Sequence, residues 1–138
     1  NFLKQFSESK WQRNAQFGLG FALENEDKPS EAIKEYQKLF SDSKKVDLWT
    51  VRARFQTGEC YFNLQQYEKA IAEFVNIEIN FKKYPSWRAK SVLEIGRVLL
   101  AQKKREDAVQ RFKEVITRYG KEKAAVVARQ YLDQLRSG

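Results

Sequence analysis

The chain has 138 residues, 42% hydrophobic and 32% charged, which is enough apolar material for a folded core. It contains no histidine and a single cysteine, Cys60, so an internal disulfide is excluded and the usual general base is missing. The net charge of +8 is uneven: residues 1–81 carry 11 basic and 12 acidic groups, and residues 82–138 carry 15 and 6. The C-terminal part therefore favours an acidic or anionic neighbour.

A 38-residue repeat organises most of the sequence. Five columns of similar residues recur three times at this step, and within each copy they follow three- and four-residue spacings, which predicts helices. The columns are Trp11, Trp49 and Trp87; Gly20, Gly58 and Gly96; Ala32, Ala70 and Ala108; Tyr36, Phe74 and Phe112; and Leu39, Ile77 and Val115. The small columns predict a close approach of two helix backbones, and the tryptophans are interpreted as wedges between repeats.

Each repeat is predicted to be a helix–turn–helix, because polar segments interrupt the helical spacing. The three breaks fall at residues 27–30, 64–66 and 102–104. Pro29 and Pro85 suit a first helical turn, where a missing N–H costs nothing. Asp47 and Ser86 stand where they are expected to cap the helices that follow.

The two ends of the chain extend this pattern. Phe2 aligns with the aromatic of a second helix, so the chain is interpreted as a fragment of a longer repeat protein, with Phe2 and Phe6 as an exposed face for self-association. The last residues predict a single helix that covers the final hairpin. The predicted single domain comprises a helix remnant at 1–8, repeats at 9–45, 46–83 and 84–120, and a capping helix at 121–136.

The pattern resembles the tetratricopeptide repeat family. Gly58, Tyr61, Ala70 and Phe74 match the family's small and aromatic positions on the two helices of a repeat. The resemblance implies an all-α fold, a right-handed α-α superhelix or solenoid of three helix hairpins plus a capping helix. It also implies a non-catalytic protein-interaction scaffold that binds a partner segment or docks subunits in an assembly.

The period of 38 departs from the family period of about 34. A longer period, with Tyr84-Pro85 and Tyr119-Gly120 after second helices, resembles the bacterial envelope branch of the family. The outer-membrane assembly lipoproteins and the periplasmic coordinator of the Tol-Pal system are of that type. The resemblance to that branch implies the cell envelope or periplasm as compartment.

By the same resemblance, the first helices of the repeats line a concave face that binds the partner. A surface of aromatic and basic groups favours an apolar segment with acidic residues. An alternative for Phe17 and Phe21 is packing against a preceding repeat. The predicted partner-binding residues are Asn14, Phe17, Phe21, Arg52, Phe55, Glu59, Phe62, Lys90 and Arg97.

The basic C-terminal part offers a second hypothesis, the binding of nucleic acid or of an envelope polymer. Aromatics interleaved for base stacking are not evident there, so nucleic acid is disfavoured. The candidate basic patch consists of Lys82, Lys83, Lys103, Lys104, Arg105, Lys121 and Lys123. No catalytic residue, metal site or cofactor is predicted, since Cys60 has no histidine to activate it and Glu24, Glu26 and Asp27 are interpreted as a solvated turn.

Overall fold

A computed structural model describes residues 10–41 and 45–137. Within these ranges the chain forms seven α-helices and no strand, which confirms the predicted all-α fold class. The helices are α1 (Lys10–Asn25), α2 (Pro29–Gln37), α3 (Leu48–Asn63), α4 (Tyr67–Asn80), α5 (Pro85–Ala101), α6 (Arg105–Arg118) and α7 (Lys123–Ser137). None of these described helices has the length and apolarity that a membrane crossing requires.

The helices group into two compact units. Unit 1 contains α1 to α3 and ends at Gln66, and unit 2 begins at Tyr67 and contains α4 to α7. The boundary falls inside the predicted second repeat, between its two helices, so the repeat boundaries and the single-domain organisation stay predictions. The helix remnant predicted at residues 1–8, with Phe2 and Phe6, lies outside the described residues.

The helix starts follow their local chemistry. Pro29 and Pro85 each occupy the first turn of a helix, as predicted. Asp47 caps α3 through a capping box: its carboxylate accepts from the Thr50 N–H at 3.1 Å, and the Thr50 hydroxyl accepts from the Asp47 N–H at 3.1 Å. The expectation for Ser86 is wrong, because Ser86 lies inside α5 and its hydroxyl donates to the Glu122 carboxylate at 2.8 Å.

The ends of α1, α3 and α5 share one geometry. Asp27, Gln65 and Lys103 have positive φ values of 61°, 61° and 64°, and they lie 38 residues apart. The next residue in each turn donates its N–H back over the helix end: Lys28 to the Leu23 carbonyl at 3.0 Å, Gln66 to Tyr61 at 2.9 Å and Lys104 to Leu99 at 2.8 Å. This is the Schellman motif, in which a left-handed residue allows the last helical carbonyls to be satisfied.

The core of unit 1 fills the space between α1, α2 and α3. Its buried side chains are Phe17, Ala32, Ile33, Tyr36, Leu39, Ala53 and Cys60. Gly20 makes room for the fully buried Tyr36 ring of α2, since a Cβ on Gly20 would lie 2.6 Å from it, whereas the sequence predicted a close approach of two helix backbones. The Tyr36 hydroxyl donates to the Glu24 carboxylate at 2.7 Å, so the buried ring keeps a hydrogen-bond partner.

Unit 2 repeats this packing two steps of 38 residues further along the chain. A Cβ on Gly96 would lie 2.5 Å from the buried Phe112 ring, so a glycine again meets an aromatic sixteen positions later. The Phe112 ring also stacks on Tyr131 of α7, with centroids 4.8 Å apart and planes 2° apart. Helix α7 thus covers the α5–α6 hairpin, while its role as a terminal cap stays a prediction.

Candidate protein-interaction site

Four side chains on α1 and α3 form the clearest candidate for a binding surface in unit 1. We call Phe17, Phe21, Trp49 and Arg52 the α1–α3 aromatic cluster. The Phe17 and Trp49 ring centroids lie 5.6 Å apart, and the Arg52 guanidinium carbon lies 4.4 Å from the first and 4.8 Å from the second. The guanidinium is therefore held over two rings, an arrangement worth about 0.5–2 kcal/mol per contact.

Helical spacing places these residues. Phe17 and Phe21 are four residues apart on α1 and stack with centroids 6.1 Å apart. Trp49 and Arg52 are three residues apart on α3, so both reach the same side of that helix. Phe17 also packs on Tyr36 at 5.3 Å, which ties the surface cluster to the core of unit 1.

The exposure of each member of the cluster determines whether a partner could contact it. Phe21 is 46% exposed and presents an apolar face to solvent, whereas Phe17 is 6% exposed and acts as a support for Arg52. Arg52 is partly exposed, and its guanidinium makes no hydrogen bond or ion pair within the part of the chain that the structure describes. An oriented cation beside an apolar ring can bind a carboxylate next to an apolar side chain.

The other predicted concave residues of unit 1 differ in accessibility. Asn14 is exposed on α1 and, with Lys10 and Trp11, lines an open groove of about 220 Å³. Phe55 is 9% exposed and leaves little ring surface for a partner. Glu59 and Phe62 are partly buried on α3. Within unit 1, the structure therefore gathers Phe21 and Arg52 around Phe17, with Asn14 on the same helix.

The two predicted residues of unit 2 lie on α5. The Lys90 ammonium lies 4.4 Å from the Trp87 ring centroid, a second cation–π contact three residues along a helix. Arg97 is engaged locally, because its guanidinium donates to both Glu94 carboxylate oxygens at 2.9 Å. Lys90 is exposed, and the Arg97 side chain is 39% exposed.

The candidate basic patch is divided in the structure. All seven residues are exposed in unit 2, but they occupy turns at opposite ends of α5 and α6. Lys82, Lys83, Lys121 and Lys123 share one end, where Ser86 contacts Glu122, and Lys103, Lys104 and Arg105 lie at the other, where Arg105 donates to the Leu135 carbonyl. The 17-residue α5 separates the two ends by about 25 Å, so the seven residues form no continuous patch.

Two chemical groups outside these surfaces, Cys60 and Glu24, serve packing within unit 1. Cys60 is fully buried, and burial followed by the nearby Glu24 carboxylate raises the pKa of its thiol. Glu24 accepts hydrogen bonds from the Tyr36 hydroxyl and from the Gln56 amide at 2.9 Å, which draws α2 and α3 to α1. Within residues 10–41 and 45–137, no three histidine, cysteine or acidic side chains come together as a metal site.

Sequence reasoning missed the cation–π contacts of two tryptophans. Trp11 is 75% exposed, and residues 1–9 before it lie outside the described part of the chain, so its interpretation as a wedge between repeats stays a prediction. Trp49, which packs on Phe17 of α1, also forms one side of the ring pair that holds Arg52, and the Trp87 ring contacts the Lys90 ammonium. A basic residue three positions after Trp49 and after Trp87 was the sequence signal for this arrangement.

The sequence model of the tetratricopeptide repeat matches residues 52–77 and 90–122. The first segment runs through most of α3 and α4, and the second through most of α5 and all of α6. A comparison with curated proteins finds no match. The two matched segments are similar to tetratricopeptide repeats, and the all-helical fold is consistent with that similarity; proteins of this class generally mediate protein–protein interaction and are generally non-catalytic.

Proposed function

We propose that this chain is a non-catalytic interaction scaffold that binds a protein segment through the first helices of its repeats. The observation that carries the proposal is the Arg52 guanidinium, held over Phe17 and Trp49 beside the exposed ring of Phe21. Because the rings fix the cation before binding, little side-chain entropy is lost when it pairs with a carboxylate. The partner that fits is an apolar segment with an acidic residue.

Each exposed member has a distinct role in this proposal. Phe21 supplies apolar area that the partner buries, Arg52 orients a carboxylate, and the exposed Asn14 amide hydrogen-bonds the partner's backbone. The family resemblance adds Glu59 and Phe62 on α3 of unit 1 and, separately, Lys90 and Arg97 on α5 of unit 2. The same residues serve either a bound segment or a docked subunit of an assembly.

The test is a cross-linked pull-down from the source cells, read by mass spectrometry. The wild type is compared with a Phe21→Glu/Arg52→Glu variant and with a control, Leu19→Glu/Lys34→Glu, which makes the same change in charge at exposed positions of unit 1. We expect a protein partner to be lost with the first variant and kept with the control. A partner retained by both variants would refute the proposed site.

We infer further that the chain is of the long-period type found in bacterial envelope proteins. Three tryptophans at a step of 38 and the Tyr84-Pro85 segment support this inference. Fractionation of the source cells, with an antibody raised against the chain, tests it: the protein should appear in the envelope or periplasmic fraction. Recovery in the cytosol alone would contradict the inference.

Anionic-polymer binding is the weaker candidate, because the seven basic residues are separated into two groups. The pull-down also tests it, since nucleic acid or envelope polymer captured only at low salt would support an electrostatic site. Proposed self-association through Phe2 and Phe6 is tested separately by the sedimentation of a Phe2→Glu/Phe6→Glu variant.

A further inference from the structure

A groove between α6 and α7 in unit 2 combines an apolar floor with a basic rim. Val109 on α6 and Leu132 and Leu135 on α7 form the floor, and each is partly exposed. Arg105, Lys113 and Arg136 complete the lining of this open groove of about 230 Å³. The two helices run antiparallel, so the start of α6 lies beside the end of α7.

The lining is built by helical spacing on both sides. Arg105, Val109 and Lys113 follow one another at four-residue steps along α6, and Leu132, Leu135 and Arg136 occupy one face of α7. Arg105 donates to the Leu135 main-chain carbonyl, so it satisfies an end group of α7 and closes one end of the groove. Phe112 and Tyr131 stack beneath the same pair of helices and hold them together.

The charges of the groove are uncompensated. Its lining, all within the described part of unit 2, contains three cations and no carboxylate. Lys113 and Arg136 are exposed and make no side-chain hydrogen bond or ion pair among the described residues. By comparison, Arg111 and Arg118 on the same α6 pair with Glu78 and Glu114 at 3.3–3.6 Å. In this groove between α6 and α7, basic side chains therefore flank an apolar surface and have no acidic partner in the lining.

We propose that this groove is a second docking surface, which binds an acidic amphipathic segment of a partner protein. Charge complementarity selects the occupant: one or two aliphatic side chains lie on Val109, Leu132 and Leu135, while flanking carboxylates pair with Lys113 and Arg136. The site is separate from the α1–α3 aromatic cluster, and it does not depend on that cluster being a binding site.

The test begins with a library of random short peptides, displayed on phage and selected against the whole chain. We expect the enriched peptides to combine large aliphatic residues with aspartate or glutamate. Their affinity, measured by fluorescence anisotropy of the labelled peptide, should fall on the order of tenfold in a Lys113→Glu/Arg136→Glu variant. A Lys121→Glu/Lys123→Glu variant is the matched control, because it makes the same charge change at the far end of α6 and α7.

A charge exchange makes the test specific. Replacing the acidic residues of the enriched peptide by lysine should abolish binding to the wild type and restore it to the Lys113→Glu/Arg136→Glu variant. The proposal is overturned if no acidic preference emerges, or if the groove variant and the control bind the enriched peptide equally. Peptides lost only with Phe21→Glu/Arg52→Glu would support the proposed function and overturn the groove, and peptides lost only with the groove variant would do the reverse.

Discussion

The Arg13 guanidinium of α1 and the Asp47 carboxylate at the start of α3 form a two-point ion pair across 34 residues. The Arg13 Nε donates to Oδ2 at 2.7 Å, and Nη2 donates to Oδ1 at 3.0 Å. Arg13 is 4% exposed and also donates to the Leu39 carbonyl and the Thr50 hydroxyl. One buried cation thereby connects α1, the end of α2 and the capping box of α3.

We predict that Asp47→Ala destabilises the protein by about 3–5 kcal/mol, because it leaves the buried Arg13 charge without its carboxylate. Asp47→Asn should cost less, since the amide oxygen still caps α3. The free energy of unfolding in urea measures both. In a double-mutant cycle with Arg13→Ala, the coupling should be about 0.5–3 kcal/mol, and additive losses would show that the pair contributes nothing jointly.

The same pair predicts a pH dependence. Burial alone would raise the pKa of Asp47, but the hydrogen bonds from Arg13 and from the Thr50 N–H outweigh burial and lower that pKa. Ionised Asp47 therefore adds stability that is fully present above the pKa of an unfolded aspartate, about 3.9, and is lost as the pH falls through the lower folded value.

The comparison that isolates this effect is the wild type against Asp47→Asn, unfolded in urea at a series of pH values. The difference in unfolding free energy should be constant above about pH 5 and shrink below about pH 4. A difference that persists unchanged at lower pH would contradict an ionised Asp47 in the folded protein.

Replacing glycine by alanine is predicted to have opposite effects on stability at different positions of the chain. Gly20→Ala and Gly96→Ala should each destabilise by about 1–3 kcal/mol, because the new methyl group would meet the buried Tyr36 or Phe112 ring within 2.6 Å. Gly18→Ala is the control: its Cβ would meet nothing within 4 Å, so the better helix propensity of alanine should stabilise α1 by up to about 1 kcal/mol. Thermal denaturation shows whether each substitution raises or lowers the melting temperature.

Replacing Trp49 or Trp11 by alanine is also expected to have different effects on stability. Trp49→Ala should cost about 3 kcal/mol, since the indole packs on Phe17 and on the core of unit 1. Trp11 is 75% exposed, and Trp11→Ala should change the melting temperature little. Equal losses for the two variants would show that Trp11 is buried in the protein in solution.

Cys60 provides a probe of unfolding. Because the thiol is fully buried and burial raises its pKa, we predict negligible reaction with a thiol reagent at pH 8 in the native state. Reaction should become rapid in urea, at the midpoint found by circular dichroism. Fast labelling of the native protein would mean that the core between α1, α2 and α3 opens locally.

Repetition made much of the fold predictable. The 38-residue columns located helices and turns, Pro29 and Pro85 marked two starts, and the glycine column marked positions of tight packing, although at Gly20 and Gly96 the neighbour is an aromatic ring and not a helix backbone. The expectation that Ser86 caps α5 was wrong, because Pro85 starts that helix one residue earlier and leaves the Ser86 hydroxyl inside it. A sequence pattern that occurs in three copies predicts helices and turns more reliably than the same pattern in one copy.

The candidate site was less predictable, because its geometry depends on contacts between helices. The sequence left Phe17 either on the binding surface or against a preceding repeat, whereas the structure buries it under the Arg52 guanidinium. The Arg13–Asp47 pair occurs once and has no equivalent column, since Val51 stands 38 residues after Arg13. Periodicity identifies what the repeats share, whereas a binding surface depends on what distinguishes them.

The shared turn after α1, α3 and α5 has a consequence for building with this chain. Its left-handed residue, at Asp27, Gln65 and Lys103, and its bond back over the helix end are the same each time, so the three turns are interchangeable connectors. Segments of equal length could be exchanged among them without altering the local backbone of the turn. Glycine at any of the three positions would relieve about 1 kcal/mol of backbone strain. A longer array could therefore be assembled by copying one connector.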